Sequence, residues 1–474
     1  MASVFVQSVL ILIITFLVSW WKRAKRANHN ANLPLPPGPT PLPVVGNVFD
    51  VPKEYSWLAY GEMSERYGDL VHLRALGQSI IIAGSSKVAL DLFEKRSSTY
   101  SDRGQSIMVI LTGWEWNLGL LPYGKYWRRI RRTFHQYFHQ LAIPKYSRVQ
   151  LRESRRFLHH LLTSPDKFVA HIRFAFGATL LKIVYGIELA EDDTEYTRVV
   201  ESALEGAIEG LVPGRFWVEF LPFLRHIPSW IPGAGSQKKL ATWRADAHAM
   251  RDVPYAVAKH AYNSYLEGDS AVQEEDIAKN AVGVAYAAGA DTTYSTMQWF
   301  FFAMLSHPEV QQKAQAELDA VVGPDRLPDF GDRDSLPYVN AIALECFRWQ
   351  PVVPLGVPHR SMADDEYDGY SIPSGSMIIP NIWAFTRDTD VYAEPERFNP
   401  DRFIKDGRLD PNVKDPRTLI FGFGRRICPG RHLADASLFI NVASVLHVYD
   451  IGPPLNANGE PIRLEPTATS GFLS

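Results

Sequence analysis

The first hydrophobic feature of the chain is a run without a single charge, Ser3 to Trp21, rich in Val, Ile, Leu and Phe. Its length approaches the ~20 residues that a membrane-spanning helix needs. Lys22, Arg23, Lys25 and Arg26 follow at once, which by the positive-inside rule puts the bulk of the chain on the cytosolic side. A cleaved signal peptide fits less well, because no basic region precedes the run and no small-residue cleavage site follows it. Residues 3–21 therefore read as an uncleaved transmembrane signal anchor, with Trp20 and Trp21 at the interface. Residues 22–45 form a basic stop and a hinge, in which Leu33-Pro-Leu-Pro-Pro-Gly-Pro-Thr-Pro-Leu-Pro43 is a stiff extended spacer that cannot be helix.

Beyond residue 46 two periodicities alternate. Val71 to Leu76 and Ser79 to Ala83 predict a hairpin broken at Gly77. From about Tyr123 to Val322 amphipathic helical patterns dominate, interrupted by prolines near Pro213, Pro222, Pro228 and Pro232. After Asp364 short strands and turns return, punctuated by Gly369, Pro373 and Gly375. The pattern predicts a mainly α fold with minor β sheets (α+β), in one large domain over residues 46–474.

Composition narrows the class further. The chain has 474 residues, 46% hydrophobic and 12% aromatic, enough for a large core. A net charge of −3 gives no sign of a nucleic-acid partner. With two cysteines, Cys346 and Cys428, no disulfide framework is expected, and a reducing compartment fits. His135 and His139 stand at i and i+4, but no glutamate follows His135 as a metalloprotease motif requires, so they read as ordinary helix histidines. No phosphate-binding loop and no dinucleotide fingerprint is present.

The informative chemistry is Phe421-Gly-Phe-Gly-Arg-Arg-Ile-Cys428-Pro-Gly430. It places a cysteine in a glycine-lined loop just ahead of the helical pattern Leu433 to Val448. The helix dipole and the cations Arg425 and Arg426 are expected to favour thiolate over thiol. Gly424 and Gly430 let the backbone approach something flat and wide. A thiolate held this way suits a soft or redox-active metal, haem iron above all.

This loop resembles the cysteine-ligand loop of the haem-thiolate monooxygenases, the cytochrome P450 superfamily, and the resemblance extends over nearly the whole chain. It implies a cytochrome P450-type haem domain binding haem b, iron protoporphyrin IX, with Cys428 as the axial ligand and Phe421 and Gly430 beside it. Glu345-Cys-Phe-Arg348 resembles the family's E-x-x-R pair, which a third arginine completes. Pro395-Glu-Arg-Phe398 and Pro400-Asp-Arg-Phe403 both offer one, and the family's spacing to the cysteine loop selects Arg402. Trp127 and Arg131, at i and i+4, match the pair that grips a haem propionate, with His359, Arg360 and Arg426 as further contacts.

Ala288-Gly-Ala-Asp291-Thr292-Thr293 lies inside the apolar stretch Ile277 to Leu305. An acid and a hydroxyl buried there are costly unless used or paired. The glycine removes bulk, and a threonine bonded back to a carbonyl is expected to open a groove. In the resembled family this acid–alcohol pair, here Asp291 and Thr292, delivers protons during oxygen activation.

The implied activity is insertion of one oxygen atom of O2 into a lipophilic small molecule, in the manner of fungal microsomal members that decorate secondary metabolites. Electrons are expected from a membrane-bound NADPH-dependent flavoprotein reductase docking near Lys125 and Arg425. The substrate pocket is expected near Trp114, Trp116, Leu118, Phe216, Ala287 and Val357. The anchor implies the endoplasmic reticulum membrane, single-pass, with a cytosolic catalytic domain. Three alternatives stand beside this. A haem-thiolate isomerase needs no external electrons, but the intact Asp291–Thr292 pair disfavours it. A peroxygenase would run on peroxide. A catalytically silent haem protein is suggested by the end at Gly471-Phe-Leu-Ser474, where the family continues through a further strand, and by a Tyr255 to Glu274 stretch shorter than usual.

Removal of Met1 to Arg26 is expected to move the protein toward the soluble fraction while haem binding survives, because the apolar run lies outside the folded core. Fractionation with haem quantification checks this, and quantitative release of a shortened chain into the secretory lumen would mark a cleaved signal instead.

Overall fold

The architecture follows from one long apolar helix and the elements that must cover it. The computed structural model describes residues 33–190, 194–212, 215–220, 222–226, 236–261, 269–456, 458–462, 464 and 469. The anchor over residues 3–21, most of the basic stop, and residues 470–474, where a final strand is expected to be lacking, lie outside the described residues. So do Pro213, Pro228 and Pro232, and residues 262–268 of the stretch read as short.

In chain order the main elements are α1 (Ser56–Tyr67), β1 (Leu70–Ala75), β2 (Gln78–Ala83), α2 (Lys125–Phe138), α3 (Ser147–Thr163), α4 (Phe168–Tyr185), α5 (Thr194–Gly210), α6 (Ser236–Ala261) and α7 (Asp269–Ser306). There follow α8 (Pro308–Val321), α9 (Pro337–Trp349), β3 (His359–Arg360), β4 (Asp365–Tyr367), β5 (Tyr370–Ile372), β6 (Met377–Pro380), β7 (Ile404–Lys405), β8 (Arg408–Leu409) and α10 (Arg431–Val448). The fold is mostly helical with small sheets, as the hydrophobic pattern predicts.

The hairpin β1–β2 pairs Leu70 with Ala83 through Ala75 with Gln78. Its two-residue turn, Leu76 and Gly77, has φ of 48° and 89°. Positive φ at both turn positions matches the right-handed twist of the strands it joins. β6 adds parallel to β2 and β3 antiparallel to β6, giving the order β1-β2-β6-β3. This sheet carries His359 into the interior.

α7 spans 38 residues, roughly 57 Å at the α-helical rise. Pro308, at the first turn of α8, ends the run by disfavouring helix at the residue before it. One half of α7 buries Met297, Phe300 and Met304 against α3, α4, α8, α9 and α10. The other half buries Ala281, Val284, Ala285 and Ala287 against α2, α4 and the 114–118 segment. Its small residues let neighbours come close. A Cβ on Gly289 would stand 2.9 Å from Leu180 of α4, so that glycine serves helix packing rather than a groove.

Among the described residues one stretch, Pro165–Tyr185, is long and apolar enough to cross a membrane. It contains α4, which packs against α3 and α7 as a core helix.

Behind the cysteine loop, α9 presents Glu345 and Arg348, both wholly buried. Arg348 donates twice to the Glu345 carboxylate, at 2.7 and 2.8 Å, and also to the carbonyls of Thr386, Pro395 and Arg397. Arg402 completes the group, with Nε 3.2 Å from Glu345 Oε1 and donations to the carbonyls of Ala393, Glu394 and Arg397. Arg397, the competing arginine, offers its carbonyl while its side chain is exposed. This satisfied ionic knot ties α9 to the 393–402 segment, and it tolerates burial because nearly every donor has an acceptor.

Arg402→Ala is expected to destabilise the fold by about 1–3 kcal/mol, the cost of stranding buried polar partners. Arg397→Ala should stay within about 0.5 kcal/mol. Urea unfolding followed by tryptophan fluorescence distinguishes them, and equal effects would put the third arginine at Arg397.

Candidate functional site

The cysteine loop is shaped by two glycines. Gly422 and Gly424 have φ of 75° and 51°, and a Cβ on Gly424 would lie 2.2 Å from the Phe93 carbonyl oxygen, so no side chain fits there. The Gly424 N–H donates to Glu94 Oε2 at 2.6 Å, and the loop closes where the Cys428 N–H donates to the Phe421 carbonyl at 2.7 Å. Phe421 stands edge-on to Phe347 of α9, with ring centroids 5.3 Å apart. Gly430 then caps α10, so Cys428 sits just ahead of a helix N-terminus.

The backbone N–H groups of Gly430 and Arg431 and the charges of Arg131 and Arg431 all favour the Cys428 anion. Burial nevertheless dominates and pushes the thiol up. The expectation that Arg425 and Arg426 favour thiolate is corrected here. A helical turn over Gly424–Arg426 sends Arg425 outward to the Tyr123 hydroxyl at 2.9 Å. It sends Arg426 inward to the carbonyls of Ser101, Leu118 and Leu121. A cation on the sulfur reverses the effect of burial, since a metal-bound thiol is deprotonated outright. Cys346 contrasts with this. It is buried among apolar side chains of α9, and burial raises its thiol strongly.

Several cations converge nearby. Buried Arg103 donates to the carbonyls of Gly119, Val357 and Pro358, and burial beside Arg426 lowers its pKa well below the usual range. Arg426 lies 4.5 Å from the Trp127 ring centroid, and burial lowers it to about 10. Arg131, half-buried, makes no hydrogen bond or ion pair with any described residue; burial lowers it while Cys428 raises it. Among the described residues no carboxylate stands within 4.0 Å of Arg103, Arg131, Arg426 or Arg431, and Asp102 is the nearby acid. So much buried positive charge is expensive without anionic partners. It fits a group that brings carboxylates of its own, as haem brings two propionates, over a sulfur of the right kind.

Other expected contacts fall differently. The Trp127 indole N–H is occupied by the Leu118 carbonyl at 3.2 Å, so what the residue presents is its ring, stacked under Arg426. His359 is buried, stacks on Phe93 at 4.2 Å, and donates Nδ1–H to the Tyr100 carbonyl at 2.6 Å. Burial and then Arg103 lower its pKa well below the ordinary value, which keeps it neutral. Arg360 alternates to the other face of β3, where it is exposed and 4.0 Å from Asp102. That alternation, a consequence of the two-residue strand period, takes it away from the Cys428 cluster.

On α7 the Thr292 hydroxyl donates to the Ala288 carbonyl at 2.7 Å. The helix continues through this turn, and the expected bond from the threonine hydroxyl back to a carbonyl is made. Ala288 is exposed in the middle of otherwise buried sequence, so this turn borders an interior space. Asp291 points elsewhere. Its carboxylate is buried, 4.0 Å from Arg173 of α4, and burial raises its pKa against the pull of Arg173.

Trp114, Trp116, Leu118 and Ala287 share one buried cluster, with the two indoles stacked at 5.4 Å. Phe216 does not join them. It packs edge-on to Trp243 in a separate cluster. Val357 contributes its carbonyl to Arg103 at 2.6 Å. Two residues of consequence escaped the motif reading. Arg431 was available, one place beyond the motif, whereas Arg103 stands in no motif and is identified by its burial alone.

The chain matches the family model described as Cytochrome P450 over residues 36–468. It is 41% identical to cytochrome P450 monooxygenase COX2 of Coprinopsis cinerea, over 93% of this chain and 87% of that protein. It is 44% identical to cytochrome P450 monooxygenase 208 of Postia placenta, over 95% and 90% of the two chains. It is 39% identical to a tryptamine 4-monooxygenase of Psilocybe cyanescens, over 98% and 95%.

Proposed function

The chain belongs to the cytochrome P450 family and is an oxygen-incorporating oxidoreductase, and from that premise we propose that it inserts one oxygen atom of O2 into a lipophilic small molecule of fungal secondary metabolism. The observation that carries this reading is the Cys428 sulfur at a helix N-terminus, its anion favoured by the Gly430 and Arg431 N–H groups, amid arginines that have no carboxylate partner among the described residues. In this reading residues 46–474 form the catalytic domain, held to the endoplasmic reticulum membrane by residues 3–21 with the domain cytosolic. A membrane-bound NADPH-dependent flavoprotein reductase supplies the electrons at the face bearing exposed Lys125 and Arg425.

Bound haem b would supply the redox and dioxygen chemistry that the side chains cannot. The chain's own part is to hold and to protonate. Cys428 would hold the haem iron through its sulfur, and its backbone is kept in place by the N–H bond to the Phe421 carbonyl. Arg131, Arg426, Arg431 and the Trp127 ring form a cationic and aromatic side that would hold the propionates, with neutral His359 on the neighbouring strand. Thr292 places its hydroxyl toward the space at Ala288. Asp291, its pKa raised by burial, holds a proton more readily than an exposed aspartate and passes it on.

The stacked, buried Trp114 and Trp116 belong to the cluster beside which this reading puts the substrate space. The relative that bears tryptamine in its name makes an indole the first substrate to test. An isomerase reading is disfavoured because it leaves Asp291 and Thr292 without a task, and a peroxygenase would turn over without the reductase.

Thr292→Ala is expected to leave haem and substrate binding near normal while diverting reductant to hydrogen peroxide, since the lost hydroxyl is small and its donor role specific. Asp291→Asn should slow turnover by roughly 100-fold, the low end of what a positioned proton donor contributes. Reductant consumed, product formed and peroxide released are measured for each. Unchanged coupling in both variants would reduce the pair to a satisfied turn of a core helix.

A further inference from the structure

Neither His135 nor His139 has a task in the site around Cys428, yet the structure brings the two together at the end of α2. His135 is exposed, and His139 is half-buried as the residue just past the last helical one. The His139 N–H donates to the His135 carbonyl at 3.2 Å, which keeps this final turn closed. Residues four apart share a helix face, and the two imidazole rings lie with centroids 5.4 Å apart and planes inclined by 27°. Neither ring makes a hydrogen bond or ion pair with a described residue.

That separation suits one kind of occupant. A zinc–imidazole bond is about 2.0–2.1 Å long and the ring centre lies roughly 1.1 Å beyond the nitrogen, so two rings on one tetrahedral ion have centres roughly 5 Å apart. The pair is thus close to chelating geometry, and small side-chain rotations close the remainder. Distance alone is not enough, as a second pair in this chain shows. The His160 and His171 rings are 5.2 Å apart, but His171 Nε2 is engaged by the hydroxyl and the carbonyl of Ser164, each at 2.9 Å.

The surroundings select among ions. Arg132, three residues before His135, and Lys145 are exposed, and the Lys145 ammonium lies over the Tyr137 and Tyr146 rings at 5.1 and 4.7 Å. Among the described residues no three ligating side chains gather in a metal-holding group. Magnesium and calcium ions need several oxygen ligands, carboxylates above all, and find no such set here. Zinc and copper ions bond to neutral imidazole nitrogen. Salt screens the repulsion from exposed cations beyond about 8 Å at physiological ionic strength.

We propose that His135 and His139 form a surface site for a zinc-like divalent cation that clamps the end of α2, with water in the remaining positions. Each imidazole gives a lone pair and displaces one water from the hydrated ion, and no electron is transferred. Two protein ligands, against the four of a structural zinc site, make the site exchangeable, filled according to the free metal around it. The ion bridges the last helical turn and the first residue beyond it. The same helix carries Trp127 and Arg131, so the clamp acts on the element that presents them beside Cys428.

The test uses the full-length haem-loaded protein made without a polyhistidine tag. Zinc chloride is titrated by calorimetry, and Cu2+ serves as the probe for electron paramagnetic resonance. The wild type should bind Zn2+ saturably and gain thermal stability as free Zn2+ rises, and its Cu2+ spectrum should show coupling to two imidazole nitrogens. His135→Ala and His139→Ala should each weaken Zn2+ binding at least about tenfold, since losing even an outer partner of a ligand costs that much, and should remove the two-nitrogen coupling. Circular dichroism checks that each variant is folded. Should His139→Ala disturb the helix end, exposed His135 carries the test alone. No saturable Zn2+ binding by the wild type, or an affinity unchanged in His135→Ala, overturns the site.

Discussion

A guanidinium removed from water must find negative charge or carbonyl oxygen, and the centre of this chain holds several that meet the requirement in part. Arg103 and Arg426 find carbonyls in the 101–121 and 357–358 segments, and both are pulled below their usual pKa by burial. Arg131 has neither. The same arrangement surrounds Cys428, whose thiol burial pushes up even though two N–H groups and two arginines favour its anion. A metal bearing two carboxylates resolves both tensions together. The cations gain partners and the sulfur gains a positive charge. That reciprocity makes the haem reading stronger than a cysteine motif alone.

The rest of the fold keeps these groups in register. The Glu345–Arg348–Arg402 knot pins α9 and the 393–402 segment behind the loop, α7 crosses the site with small residues where other helices approach, and β3 brings His359 inward. Buried charge is handled differently in each place. At Glu345 it is locked by short bidentate bonds, which gives rigidity. At Asp291 the facing cation, Arg173, stands off at 4.0 Å, a looser hold.

Local rules made part of this legible. Gly77 marks the hairpin because a two-residue turn needs positive φ, and the cysteine loop is readable because several fixed positions crowd into one short run. Arg402 is distinguishable from Arg397 by the spacing to the cysteine loop that the family resemblance implies. What escaped depends on tertiary partners. That Gly289 makes room for Leu180, more than 100 residues earlier, could not be read from spacing. Arg360 looks like its neighbour His359 in sequence, yet the strand period places it on the other face. Trp127 was found as a residue, but the Leu118 carbonyl that takes its N–H could not be read from spacing.

The central claim is that Cys428, and not Cys346, furnishes thiolate to haem. The most direct measurement is the reduced, carbon-monoxide-bound absorption spectrum of the wild type, Cys428→Ser and Cys346→Ser. A strongly red-shifted Soret band in the wild type and in Cys346→Ser, lost in Cys428→Ser because a serine hydroxyl is a poor ligand for a soft site, is the expected result. Retention of that band in Cys428→Ser with its loss in Cys346→Ser would contradict the account.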